Sequence, residues 1–166
     1  PQGRTREQAM SFVTLAEAKA HLRVYGNDDD ALIGIYIAAA ENSAVAIVDR
    51  GVYADDAAKE AAIDAAPGAL ADATVAYAAS ITAAHELADA CDKAAAIKAA
   101  NASYIRAQVA FRKATDGIVA DDIIKAATLL IIGHLYENRE DVVAGQALSK
   151  LPNGAEWLLN AYKVYA

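Results

Sequence analysis

Residues 69–115, ALADATVAYAASITAAHELADACDKAAAIKAANASYIRAQVAFRKAT, contain neither glycine nor proline. Alanine is the strongest helix former because it loses no side-chain entropy and hides no backbone from its own hydrogen bonds. Leu70, Thr74, Tyr77, Ile81, Ala84, Ala88, Cys91, Ala95, Lys98, Ala102, Ile105 and Val109 follow one another at alternating steps of four and three. That is the spacing of a coiled-coil seam, and its small residues allow close backbone approach. One continuous helix of about 70 Å is expected at 1.5 Å per residue. A helical hairpin folded back at Asn101-Ala102-Ser103 is the alternative, without the Gly or Pro such a turn usually carries.

The surrounding sequence is helical in character as well. The chain has 166 residues, 44 of them alanine, with only nine glycines and three prolines. This composition suits an all-α fold and not a sandwich or barrel, and the length suits one domain. Thr14-Leu15-Ala16-Glu17 is a capping box opening a helix to about Arg23. Asn27-Asp28-Asp29-Asp30 supplies a cap and acidic first turn for a second helix, with Ile33, Ile37, Ala40, Ala44 and Ile47 on one face. Asp55 and Asp56 start a short helix that Pro67-Gly68 is expected to interrupt. Asp121-Asp122 opens a helix carrying Ile124, Ala127, Leu130, Ile131 and Leu135, apolar nearly all round and so expected at the centre of a bundle or assembly. After the breaker Leu151-Pro152-Asn153-Gly154, a last helix bears Trp157, Leu158, Ala161 and Tyr162. The expected architecture is a small helical bundle at 13–166, with 53–118 an alanine-rich helical insertion and 1–12 a flexible extension.

Several classes of chemistry find no residues to carry them. The formal charge of −7 disfavours a sequence-independent duplex binder, which needs clustered cations. The longest apolar run, Ile123 to Tyr136, holds Lys125 and His134 and falls short of a span, so no membrane is expected. The N-terminus lacks a signal-type apolar stretch. His21, His85 and His134 sit on three different helices; His134 with Glu137 could hold a metal at i, i+3, but the di-iron order is reversed and unrepeated. Asp28-Asp29-Asp30 lacks the oxygen and glycine of a calcium loop. Cys91 sits between Asp89 and Asp92 with no cation directly adjacent in sequence to favour a reactive thiolate, and core packing is the expected role. No nucleophile elbow, Walker loop or dinucleotide fingerprint occurs. The expectation is a protein without catalysis, metal or cofactor.

Two segments instead look like contact surfaces, because aromatic and aliphatic anchors dominate interfaces. One is Leu135, Tyr136, Glu137, Arg139, Glu140 and Asp141 at the end of the apolar helix. The other is the C-terminal set Trp157, Leu158, Leu159, Tyr162 and Tyr165.

Two blocks carry a resemblance. Val13-Thr-Leu-Ala-Glu-Ala-Lys-Ala-His-Leu-Arg-Val, Asn27-Asp-Asp-Asp-Ala-Leu-Ile and Ala38-Ala-Ala-Glu-Asn form the first. Ile124-Lys-Ala-Ala-Thr-Leu-Leu-Ile-Ile-Gly-His-Leu-Tyr-Glu-Asn-Arg-Glu, with Leu151-Pro and a terminal helix, forms the second. Together they resemble the tailed-bacteriophage head–tail connector (adaptor, head completion) family over about half the chain. The alanine-rich middle departs from that pattern.

The resemblance implies a virion protein at the head–tail junction, assembled in the host cytoplasm. It implies a homo-oligomeric, dodecameric ring under the portal protein that extends the DNA channel. The ring would offer a platform to the next neck or tail-completion protein, and genomic DNA would pass without specific binding. On this chain it implies portal docking through Trp157, Leu158, Leu159, Tyr162 and Tyr165. Subunit contacts would fall on the central helix and on the Tyr136–Asp141 end. A closed ring needs two different adhesive faces, and an acidic lumen would repel phosphates and let DNA slide. A non-viral alanine-rich scaffold or binding protein is the alternative.

Overall fold

The computed structural model describes residues 11–138 and 153–164. Among these, six helices and two very short strands occur in the order α1 (Leu15–Leu22), α2 (Asp30–Val48), β1 (Val52–Tyr53), α3 (Asp56–His85), α4 (Ala90–Thr115), β2 (Ile118–Val119), α5 (Asp122–Glu137) and α6 (Asn153–Asn160). The chain divides into two compact units, one from the two ends of the sequence up to Lys59 and from Ile118, the other Glu60–Gly117.

In the first unit the capping box forms as the sequence predicts. The Thr14 hydroxyl accepts the Glu17 amide at 3.2 Å, and Glu17 Oε2 accepts the Thr14 amide at 2.7 Å. Those bonds hold the Glu17 carboxyl below the ordinary range, helped by Lys125. Helix α1 stops where Arg23 turns left-handed (φ 57°) and the amides of Arg23 and Val24 close on Ala20 and Lys19.

The acidic triplet before α2 does something other than capping. Asp29 is the N-cap residue but makes no side-chain cap; its carboxylate accepts the Tyr136 hydroxyl at 2.5 Å. Asp30 pairs with Lys19 at 2.5 Å. Helix α2 buries Ile33, Ile37, Ala40, Ala44 and Val48, so the stripe ends on Val48 and not on Ile47. By length and composition alone α2 could cross a membrane; the stripe it buries here is that of a bundle core helix.

Helix α5 packs against α1, α2 and α6. It buries Ile124, Ala127, Thr128, Ile131 and Ile132, and the Thr128 hydroxyl satisfies itself on the Ile124 carbonyl at 2.9 Å. The helix is not buried all round: Ile123 and Leu130 are exposed. Leu130 is therefore a surface residue and not the core residue that its spacing suggested.

Two features of this unit were not expected. A parallel pair joins Val52 to Ile118 and Tyr53 to Val119, bonded by Ile118 N–H to Gly51 O (2.9 Å) and Ala120 N–H to Tyr53 O (2.8 Å). It brings together two points of the chain separated by the whole alanine-rich segment. The second is Glu41. Its Oε1 accepts the amides of Phe12 (2.8 Å) and Val13 (2.9 Å) and the Ser11 hydroxyl (3.1 Å). Phe12 is buried, so Ser11 and Phe12 belong to the folded unit and not to the N-terminal extension. Residues 1–10 lie outside the described residues.

In the second unit the single long helix is replaced by a hairpin, and the turn is not at 101–103. Helix α3 runs through Pro67 and Gly68 to His85; residues 86–89 turn; α4 returns from Ala90. Asp89 makes the turn, accepting the amides of Cys91 (2.8 Å) and Asp92 (3.0 Å) as an N-cap. Pro67 costs one helical hydrogen bond, but it sits on an exposed side, and Ala66 and Leu70 on either side of it line the α4-facing groove.

The two helices are antiparallel. Tyr77 stacks on Tyr104 with ring centres 4.9 Å apart, and its hydroxyl donates to Asn101 at 2.9 Å. Leu70 and Ala110 line one shared groove, Ser80 and Ala100 another. Only Ala66, Ala84, Ala100 and Gly117 are buried in this unit. Cys91, expected in the core, is exposed. The turn breaks the phase of the seam, so its second half, from Cys91 to Val109, points away from α3.

Replacing Glu60–Gly117 by a flexible Gly/Ser linker is expected to leave the remaining helices folded, because the described core residues of the first unit all lie outside that segment. Circular dichroism and a cooperative thermal transition check this. A molten or unfolded product would mean that the hairpin is structurally required.

Candidate interaction surface

Helix α6 is held by one side and offers the other. Ala155 and Leu159 are buried in the core beside α5. After the helix, the Val164 amide bonds to the Val48 carbonyl at 3.2 Å, tying the chain to the end of α2. Tyr162 donates its hydroxyl to Asp121, which also caps α5 through the amides of Ile123 (3.1 Å) and Ile124 (3.0 Å). One carboxylate thus fixes the start of α5 and the end of α6 together.

The electrostatics follow from that contact. Burial acts to raise the Asp121 pKa. The Tyr162 hydroxyl and the amides of Ile124 and Ile123 outweigh it, and the net shift is downward. Tyr162 is raised, first by its bond to Asp121, then by burial and the nearby negative charge. Asp121 therefore contributes stability that is present above its unfolded value, near pH 4, and is lost as pH falls through the lower folded value. Tyr162 contributes stability that is present below about pH 10 and is lost as pH rises through its raised folded value. Tyr162→Phe is expected to cost about 0.5–1 kcal/mol at pH 7, a modest figure because the pair is partly solvated. The loss should shrink at both pH extremes; urea titrations across pH check it, and a pH-independent loss would contradict it.

With α6 so fixed, Trp157 stands 75% exposed. Gly154, one turn earlier, lies within contact reach of Leu130, so an exposed α5 side chain lies beside this helix. An exposed indole on a helix anchored at its other side suits an interface, where tryptophan is enriched. Spacing alone did not single out Leu130 for this surface, because an apolar helix looks buried all round until its neighbours are known.

A family model described as phage gp6-like head-tail connector protein matches residues 12–163. The chain belongs to that family. No match was found among curated proteins or among solved structures. The matched span includes the alanine-rich middle as well as the two end blocks on which the resemblance rests.

In this head–tail connector the residues of the two expected surfaces are distributed unevenly. Trp157 is exposed, while Leu158 and Tyr162 are half-buried against the core. Leu159 is a correction: it is fully buried and works as a core side chain, because its helix turns that position onto α5. Tyr165 lies outside the described residues. At the other surface, Leu135 and Tyr136 pack partly against the core. Tyr136 sits edge-on to Tyr36 at 6.5 Å and bonds to Asp29, so it braces α5 against α2. Glu137 is exposed; Arg139, Glu140 and Asp141 lie outside the described residues. Among the described residues no three His, Cys, Asp or Glu side chains converge as a metal site. His134 hydrogen-bonds to Asn138 at the end of α5 (3.2 Å), and His21 lies over Gly133.

Proposed function

We propose that this connector is a structural component of the phage neck, working through shape and adhesion with no bond-making centre. Copies close into a ring beneath the portal protein, extend the DNA channel and present a platform to the next neck or tail-completion protein. The α6 face that carries the exposed Trp157, with the half-buried Leu158 and Tyr162 at its core-side edge, docks on the portal. The end of α5, with Glu137 and the residues that follow, contributes to contacts between subunits. The alanine-rich middle, 53–118 by sequence and folded as the compact unit Glu60–Gly117, is an insertion carried on this scaffold.

The observation that carries the reading is the family match together with the exposed Trp157 on a helix that Leu159, Tyr162 and Val164 hold in place. A helix held in this way carries its exposed aromatic with part of the ordering cost of binding already met on folding. The charge of −7 per copy, repeated around a ring, supports a channel wall that repels phosphate and leaves DNA free to slide.

Light scattering on the purified chain, alone and mixed with assembled portal, tests the proposal. A defined ring-sized complex is expected with portal. Particles that lack the protein altogether, or a chain that never associates with portal, would overturn it.

A further inference from the structure

The hairpin has two outer edges of opposite character. From residue 60 onward α3 carries Glu60, Asp64 and Asp72 with no Lys or Arg, whereas α4 carries five Lys or Arg against the single Asp92. Opposite the groove that faces α4, α3 presents Val75, 71% exposed, with Asp72 one turn before it and Asp64 about three turns before it on the same side. Opposite the groove that faces α3, α4 presents Ile105, 57% exposed, and Val109, flanked by Lys98 and Arg106. Asp64, Asp72, Lys98 and Arg106 are exposed and form no ion pair among the described residues. This two-helix unit fully buries only alanine and glycine, and it leaves Val75, Ile105 and Val109 on these edges.

We propose that the occupant of each edge is the other edge on a second copy of this chain: the acidic edge of α3 in one subunit packs against the basic edge of α4 in the next. The two edges differ, so the contact is head-to-tail and propagates around a closed ring, as a two-fold contact would not. Opposite charges favour this pairing, and like charges oppose α3 on α3 or α4 on α4. The register within the hairpin sets the register between copies. Tyr77 lies level with Tyr104 and Leu70 with Ala110. Neighbouring hairpins held level therefore set Val75 opposite Ile105. By the helical period, Asp72 and Arg106 fall on the same flank of that contact, within one turn of each other.

The inference rests on the ring reading above, and its test separates the two. In full-length protein with Cys91→Ala, Val75→Cys and Ile105→Cys are introduced together and the protein is assembled into particles. The two positions lie on opposite edges of one hairpin, so a disulfide between them joins different copies. Mild oxidation is expected to give a ladder of covalent multimers on a non-reducing gel. Each single cysteine variant should give none. Monomers alone from particles that contain the protein at the normal level would overturn the hairpin contact and leave the neck role standing. Dimers from a single variant would overturn it in favour of a two-fold contact. Absence of the unmodified protein from particles would overturn both readings.

A second set of variants guards against misfolding. Asp72→Lys or Arg106→Glu alone should lower incorporation by about tenfold or more with helicity retained, and the two together should restore it. Normal incorporation of either single reversal, or failure of the folded double variant, would overturn the proposal.

Discussion

Trp157→Asp is expected to remove portal attachment while leaving the fold and its stability nearly intact. The indole is 75% exposed, so folding buries little of it, and substitutions at such positions usually change stability by no more than about 0.5 kcal/mol. Helix α6 is held by other residues: Leu159 in the core, Tyr162 on Asp121, and Val164 on the Val48 carbonyl. In an interface the same side chain becomes a central anchor, and truncating such a tryptophan commonly costs about 2–4 kcal/mol. That is a loss of roughly 30- to 1,000-fold in affinity. An aspartate adds a charge that the interface must desolvate. The check is portal binding measured beside far-ultraviolet circular dichroism. Equal loss of helicity and binding would assign Trp157 to folding, and unchanged binding would remove α6 from the docking surface.

The largest stability effect is expected at Glu41. One carboxylate oxygen accepts two backbone amides and a hydroxyl from Ser11, Phe12 and Val13. Hydrogen bonds to charged acceptors contribute about 1.5–3 kcal/mol net, and a buried amide left without a partner costs about 1–3 kcal/mol. Phe12 and Val13 are buried and their bonds to Glu41 are part-buried, so water replaces the carboxylate only in part. Glu41→Ala should therefore destabilise by about 3 kcal/mol in urea unfolding. Glu41→Gln keeps an acceptor in the same place and should lose about 1 kcal/mol, the part due to charge. A loss below about 0.5 kcal/mol for the alanine variant would mean that these three bonds are dispensable.

Much of the first unit was legible because local signals and packing agree there. The Thr14–Glu17 box, the α2 stripe and the Asp121 cap are short-range patterns whose partners lie within four residues. Glu41 was not legible, since its partners lie nearly thirty residues away in sequence. Its only signal is a mid-helix acid beside the buried Ala40 on a mostly apolar helix.

The middle segment failed for a different reason. Alanine fits a seam on any face, so the four-three pattern continued through residues 86–89 without contradiction. The turn there uses no glycine or proline. Its signature is Asp89 followed by Asp92, an N-cap and an acidic first turn, a pattern that the continuous seam masks. Pro67 erred the other way: a breaker was expected, but one lost bond on an exposed side is tolerated when the flanking residues pack against α4.

At the candidate surface, sequence located α6 but not its orientation. Trp157 and Leu159 are two positions apart and so lie on different sides of the helix. Which side faces the core depends on α5. The structure turns Leu159 inward and Trp157 outward, and it shows Leu130 at the surface beside Gly154.

The most direct test of the central claim is a density map of the phage particle at a resolution that traces helices. The account predicts this chain as a closed ring at the head–tail junction, with α6 against the portal and DNA passing through the ring. The chain elsewhere in the particle, or absent from it, or present with α6 facing solvent, would contradict it.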